Sequence, residues 1–305
     1  MTKISVPKIS IITTNYNGAT YLEETIKSVL NQNYPNIEYI IVDGGSTDGS
    51  VEIIKKYEKQ LAWWISEPDN GMYQAIQKGF DHSTGEIMAW LNSDDKYILG
   101  ALSVVEEIFS TFSEIEWLTS SSGITWDKLG RAVNVDNRHG FNRNSFFRGS
   151  NLTGQNWHST YFIQQETTFW KRSLWEKAGG QLDISLKLAG DFALWAEFFC
   201  HANLYTVCTS FGGMRSHESQ KSVNYFPEYI NEAKEVLYRY KGQPYGKFES
   251  IIRHFFYQLI GRSFIPRHHL SKFVIMIFDV SHLFYKTKRC YWYRDGWKIV
   301  DGYIL

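Results

Sequence analysis

The chain reads as an α/β protein built on a mostly parallel sheet flanked by helices, with a helical extension at its carboxyl end. Strand-sized apolar runs alternate with helix-period segments through the first hundred residues, the rhythm of βαβ units. Polar clusters close three of those runs, at Thr13 to Gly18, Asp43 to Gly49 and Asn92 to Asp95, where open parallel sheets bind their ligands. After Pro227 the pattern turns to dense aromatic and apolar segments of helical period.

Ile9 to Thr13 is the first strand. Leu22, Ile26, Val29 and Leu30 mark one helix face, with Thr20 and Glu23 spaced as a capping box. Ile37 to Val42 is the second strand, and Ser50 is placed to cap a helix through Val51, Ile54 and Tyr57. Leu61 to Ile65 makes a third strand, Met72 to Phe80 a third helix, and Ile87 to Leu91 the strand that ends in two acids. Leu204 to Thr209 is a later strand, and Tyr229 to Tyr240, Phe248 to Phe264 and His269 to Tyr285 are the helices of the extension. Trp117 to Trp157 is rich in Asn, Ser, Gly and Arg, and its place between the two halves of the chain makes it a candidate acceptor lid.

The 305 residues carry 32 basic and 32 acidic side chains, a balance that gives no nucleic-acid signature. Cys200, Cys208 and Cys290 are too few and too irregular for a disulfide framework and fit a reducing cytoplasm. The first residues lack the apolar segment of a signal peptide, and no run approaches the roughly 20 apolar residues that span a bilayer. The expected location is the cytoplasm; the aromatic, basic carboxyl-terminal helices, which carry Arg253, Arg262, Arg267, Lys272, Lys286, Lys288 and Arg289, read either as a contact with the inner face of the membrane or as a helical cap whose apolar faces are core.

Asp94 and Asp95, adjacent at the end of a buried strand, suit a divalent cation that carries a nucleotide diphosphate, because hard cations share oxygen ligands between carboxylate and phosphate. Neither the glycine fingerprint of dinucleotide folds nor a P-loop is present. A nucleotide here needs a different loop set.

The segment from Ile9 to Asp95 resembles the inverting family 2 glycosyltransferases of GT-A fold, particularly the bacterial enzymes that build O-antigen and other surface polysaccharides. The resemblance rests on Thr13-Thr14-Asn15-Tyr16-Asn17, Ser28-Val29-Leu30-Asn31-Gln32, Ile41 to Gly49, Ser66-Glu67-Pro68-Asp69-Asn70-Gly71, Lys78-Gly79, Thr84-Gly85-Glu86 and Leu91-Asn92-Ser93-Asp94-Asp95, in that order and spacing. It implies that Thr13, Thr14, Tyr16, Asp43, Asp69 and Asp94 hold the nucleotide sugar and that Asp95 binds Mg2+ or Mn2+. The family commonly has two acids at the Asp43 position; here the second is Gly44. UDP is the favoured donor nucleotide, ahead of GDP or dTDP.

Further on, Gln165 to Arg172 and Leu174 to Gly180 resemble the block that precedes the family's catalytic acid, with Gln164-Gln165 in place of a frequent His-Gln. Ala189-Gly190-Asp191-Phe192-Ala193-Leu194-Trp195 then resembles the helix start carrying the general base, which makes Asp191 that base; N-capping of the same helix is its structural alternative. Arg215 is expected near the diphosphate and His217 in the metal shell. The resemblance implies a catalytic domain over 1–224, divided into a nucleotide-sugar half (1–95) and an acceptor and base half (96–224), with the helical extension at 225–305. The expected acceptor is a hydroxyl of a glycan or a lipid-linked saccharide. A sugar-nucleotide nucleotidyltransferase and a non-catalytic subunit of the same fold are the rival readings.

Overall fold

A computed structural model describes residues 6–152, 162–218, 220, 224–261, 285–294 and 296–304. The amino-terminal half runs β1 (Ile9–Asn15), α1 (Ala19–Leu30), β2 (Ile37–Asp43), α2 (Ser50–Tyr57), β3 (Trp63–Ser66), α3 (Met72–His82), β4 (Ile87–Trp90), β5 (Lys96–Tyr97) and α4 (Ala101–Thr111). The remainder runs β6 (Trp117–Ser120), β7 (Ser122–Trp126), β8 (Ala132–Asn137), α5 (Arg143–Phe147), β9 (Thr168–Lys171), α6 (Arg172–Lys177), α7 (Gly190–His201), β10 (Leu204–Val207) and β11 (Gly212–Arg215), then helices Phe226–Arg239 and Lys247–Gly261, β12 (Tyr285–Tyr293) and β13 (Gly296–Ile304).

Among the described residues nine strands form the central sheet in the order β13-β12-β10-β6-β9-β4-β1-β2-β3. The pairs β3–β2, β2–β1, β1–β4, β6–β10 and β10–β12 are parallel, and β9 lies antiparallel between β4 and β6. The expected mostly parallel sheet flanked by helices is therefore present. β1 is buried along its whole length, and β4 likewise, which is why β4 reads as an unbroken apolar run rather than an alternating one. Its two faces bury separate cores, one around Ile12, Trp90, Trp170 and Trp195, the other around Ile11, Ile26, Leu91 and Val105.

Two expected caps are replaced by one residue. Helix α1 starts after Gly18 rather than Thr20, and α2 after Gly49, neither with a side-chain cap of its own. Asp48 serves both: its Oδ2 accepts the Ala19 N–H at 2.9 Å and its Oδ1 accepts the Ser50 N–H and hydroxyl at 3.1 and 2.6 Å. One carboxylate thus ties the first two strand-end loops together, a capping link across 29 residues that local spacing does not reveal.

The extension is not helical throughout. Its first two helices appear at Phe226–Arg239 and Lys247–Gly261, and all of the expected third, His269 to Tyr285, except its last residue lies outside the described residues. From Tyr285 the chain forms a hairpin whose β12 pairs in parallel with β10, burying Thr287 and Cys290. The reason is legible afterwards: β-forming residues run on both sides of the Tyr293–Gly296 pair that closes the hairpin, and Trp292 faces Trp297 across the hairpin at 5.5 Å. The basic residues named for a membrane face are spent partly on protein contacts, Arg253 being buried against Tyr245 and Tyr285 and Lys286 and Lys288 sharing Asp301. No helix among the described residues is long and apolar enough to cross a membrane.

The candidate lid is also corrected. Trp117, at its start, is fully buried in an internal strand, and β7, β8 and α5 follow as regular structure. Residues 153–157 lie outside the described set. A second sheet, β5-β11-β7-β8, forms here and carries Arg215 to the acidic loop. It requires glycine at 213, where a Cβ would sit 1.8 Å from the Ile124 carbonyl oxygen.

Candidate active site

The acidic loop leaves β4 and is held from beneath. Thr25 of α1 donates its hydroxyl to the carbonyls of Ser93 and Asp95 at 2.9 and 2.7 Å. Arg215, fully buried, donates its backbone N–H to Asp95 Oδ1 at 3.0 Å, and its guanidinium reaches the Asp94 carbonyl, the Asp127 carbonyl and Glu24 at 2.9, 3.0 and 2.5 Å while lying over the Tyr21 ring. Every guanidinium nitrogen thus has a protein acceptor. The structure places Arg215 under the loop, with its guanidinium engaged by protein acceptors.

Asp95 is 4% exposed. Burial, the neighbouring Asp94 and Glu166 push its carboxyl well above the usual carboxylate range, against the Arg215 N–H and the Asn92 amide, which favour the anion. Asp94 Oδ2 stands 2.8 Å from His217 Nε2, while the Asp95 oxygens accept from the Arg215 N–H and the Asn92 amide at 3.0 and 3.2 Å. Among the described residues no three His, Cys, Asp or Glu side chains are grouped to hold a metal by themselves. The donor set still fits a hard divalent cation shared with a diphosphate: oxygen ligands and one imidazole, around a buried acid whose ionisation a cation would restore.

The first two loops are organised around Asp43, which is fully buried and accepts five hydrogen bonds, from Asn15 Nδ2, Ser46 Oγ, the N–H groups of Gly45 and Ser46, and Ser66 Oγ, at 2.6 to 3.1 Å. Burial disfavours its charge, but the Ser46, Ser66 and Asn15 bonds outweigh it and hold the carboxyl below its ordinary value. Both oxygens being engaged, Asp43 fixes the loops. Thr13 also faces inward, its hydroxyl accepting from Tyr39 at 3.0 Å, and Thr14 is 7% exposed. Tyr16, by contrast, is 71% exposed, a free ring surface at the site's rim. A Cβ on Gly44 would lie 2.8 Å from Asp69 Oδ2 and 3.3 Å from the Tyr16 ring. The Asp69 carboxylate therefore stands where the second acid of the pair would begin.

Asp191 lies in the first turn of α7, whose N-cap position is Ala189. Its Oδ1 accepts the Phe192 N–H at 2.7 Å. Burial pushes its carboxyl up to about 7, moderated by the Phe192 and Asp191 N–H groups and the Tyr73 hydroxyl. Trp195, one turn later, lies between Trp90, the last residue of β4, and Trp117, with ring centroids 5.9 and 5.6 Å away. The same aromatic stack therefore positions α7, which carries Asp191, and the strand that leads to Asp94 and Asp95.

Sequence reading missed two acids. Glu166 is buried beside the acidic loop, pushed up to about 7 by burial, and was hidden inside a block read for its order rather than its charge. Glu232, from helix Phe226–Arg239, accepts the N–H groups of Lys187, Leu188 and Ala189 at 3.1, 2.9 and 2.9 Å and so fixes the entry to α7. No local signal links it to Asp191. We expect Glu232→Gln, which leaves a single acceptor oxygen, to cost about 1–2 kcal/mol. Because the Glu232 charge raises the Asp191 carboxyl, the variant should also move the acidic limb of the pH–rate profile to lower pH. Denaturant unfolding and a pH series check both, and an unmoved limb would refute the electrostatic link.

A mostly parallel sheet flanked by helices, with polar and acidic loops at its strand ends, is an α/β architecture that binds its ligands beyond the strand ends. The glycosyl transferase family 2 model matches residues 10–111. An uncharacterized glycosyltransferase of Mycobacterium tuberculosis is 30% identical over 227 residues, 72% of this chain and 81% of that protein. A Bacillus subtilis protein named for teichuronic acid biosynthesis, TuaG, is 40% identical over 94 residues, 30% of this chain and 37% of TuaG. Among solved structures, S. aureus TarS 1–349 in complex with UDP-GlcNAc superposes with a TM-score of 0.58 at 17% identity, over 90% of this chain and 74% of that one. The mannosyltransferase PcManGT of Pyrobaculum calidifontis, in complex with GDP-Man and Mn2+, does so with 0.54 at 15% identity, over 92% and 83%. The chain belongs to glycosyl transferase family 2 and is a glycosyltransferase.

Proposed function

We propose that this glycosyltransferase is an inverting enzyme that moves a sugar from a nucleotide diphosphate sugar, UDP before GDP or dTDP, to a hydroxyl of a glycan or lipid-linked acceptor in surface polysaccharide synthesis. The observation that carries this is Asp191, held near neutrality on a helix anchored through Trp195 to the strand that ends in Asp94 and Asp95. A sugar hydroxyl is a weak nucleophile, and a carboxylate of about this pKa can take its proton as it attacks. Inversion needs the base and the leaving phosphate on opposite sides of the sugar carbon, which fits a base far in sequence from the acidic loop. A divalent cation on Asp95 and His217 would neutralise the departing diphosphate. Asp94 orients His217, Thr25 and Arg215 hold the loop, and Tyr16 offers a stacking face for the base. The surface-polysaccharide assignment rests on the likeness to TuaG, and the donor class on the nucleotide sugars bound by TarS and PcManGT.

Asp69 supplies the acceptor group that Gly44 lacks, which suits a base with a ring N–H on its pairing edge, a feature uracil shares with thymine and guanine; the order of UDP before GDP or dTDP rests on the family resemblance. In a thermal-shift screen of UDP-, GDP- and dTDP-sugars with Mn2+, the UDP set should stabilise most, by about 2–3 kcal/mol at a hundredfold excess over Kd. Asp95→Ala should lose the Mn2+-dependent part. A screen in which no nucleotide sugar stabilises the protein would sink the reading.

A further inference from the structure

One buried acid has no task in the mechanism just described. Glu166 sits in a short turn, Gln165–Thr167, that packs against β4, β5 and β11, the elements surrounding the acidic loop. It is 6% exposed, and its Oε1 has no hydrogen-bond partner. The turn around it is pinned: Gln164 Oε1 accepts from Arg138 at 2.8 Å, Gln165 donates to the Trp90 carbonyl, and the Thr167 hydroxyl donates to the Gln164 carbonyl at 3.2 Å. Glu166 cannot easily turn away to find a partner. Its charge bears on Asp95 on the nucleotide side, and it feels Asp94 and also Asp191 on the other side. It therefore stands among the groups that bracket the sugar.

A buried carboxyl oxygen without a donor is costly in a folded protein and is expected to find one when the site fills. The Glu166 carboxyl has its own peptide N–H and the attraction of the Arg138 guanidinium, yet its Oε1 is left without a donor, and a sugar presents several hydroxyl donors. We infer that Glu166 positions the transferred sugar, its Oε1 accepting a hydrogen bond from a sugar hydroxyl between the β4 acids and Asp191. The inference rests on the nucleotide-sugar reading of the site. Tyr97, on β5, likewise has a buried hydroxyl without a partner, so a purely structural role would show as lost stability with no change in ligand preference.

The test is titration calorimetry with Mn2+ on the full chain, comparing UDP with UDP-GlcNAc and GDP with GDP-mannose, for the parent, Glu166→Gln and Glu166→Ala. In the pair that binds, Glu166→Ala should weaken the sugar nucleotide about 10- to 100-fold relative to its bare diphosphate, the range of one charge-assisted hydrogen bond. Affinity for the diphosphate should stay within about twofold. Glu166→Gln keeps the shape but offers a weaker, neutral acceptor and should lose about three- to tenfold of the same ratio; it decides the matter if the alanine variant does not fold. An unchanged ratio in the variants, or equal weakening of both ligands, overturns the inference while leaving the nucleotide-sugar reading intact. A parent that binds none of the four overturns that reading and this inference with it.

Discussion

Asp191→Asn is expected to lower sugar transfer by about 10²–10⁴-fold, the usual contribution of a positioned general base, while nucleotide-sugar binding stays within about twofold. Asparagine keeps the shape and can still accept the Phe192 N–H that Asp191 Oδ1 accepts at 2.7 Å, so α7 should start in the same place. What it cannot do is take a proton. In the parent, kcat/KM should rise with pH to a plateau above about 7, because burial pushes the Asp191 carboxyl up to about 7 and only its anion is a base. The stability consequence has the opposite sign. The folded value lies above the ordinary 3.8 of the unfolded chain, so the stabilisation is fully present below about 4 and is lost as pH rises through about 7. Glu166, also pushed up to about 7, acts in the same direction. Asp191→Asn should therefore remove the rate limb and part of the stability slope together. A variant that transfers at near the parental rate would show that another group is the base.

The nucleotide half was legible because its signals are local. Strand-end clusters at Asn15, Asp43 and Asp94 follow buried runs of four to seven residues, and a parallel sheet leaves such clusters at one edge by construction. Individual roles were less legible, since they depend on which way a side chain turns. Thr13 and Asp43 lie at the right place in the chain, yet one is held by Tyr39 and the other by five donors. The caps of α1 and α2 failed for a related reason: Asp48 reaches both helices from one loop, a long-range contact that capping-box spacing cannot encode. The carboxyl-terminal hairpin was masked by its aromatic content, because Tyr, Trp, Lys and Arg at positions 285 to 298 satisfy a helical and a strand reading alike over so short a run. Pairing with β10 decided it, a tertiary choice that overrides local preference.

Arg215→Met is expected to destabilise the fold by about 2–3 kcal/mol, and with it the acidic loop. The guanidinium is fully buried, and its nitrogens donate to the Asp94 and Asp127 carbonyls and to Glu24. Methionine fills much of the same space over Tyr21 but leaves the Asp94 carbonyl without its Arg215 donor, worth about 1–3 kcal/mol when buried, while the Asp127 carbonyl keeps the Gly130 N–H at 2.9 Å. The Glu24 contribution is smaller, because that side chain is 41% exposed and keeps Lys96 at 2.6 Å. Lysine should not rescue the fold, since one ammonium on a flexible stem cannot span acceptors set for a planar fork. The backbone N–H that Arg215 gives to Asp95 survives either substitution, so any donor-binding loss beyond the unfolded fraction would trace to loop displacement. The alternative is a phosphate-binding Arg215, and the two roles separate cleanly. A phosphate ligand predicts unchanged unfolding with a raised KM for the donor. A clamp predicts a denaturation midpoint well below the parent's and, in the fraction that stays folded, a donor KM shifted far less than the stability. Unchanged unfolding in Arg215→Met would remove the clamp and restore Arg215 to the diphosphate.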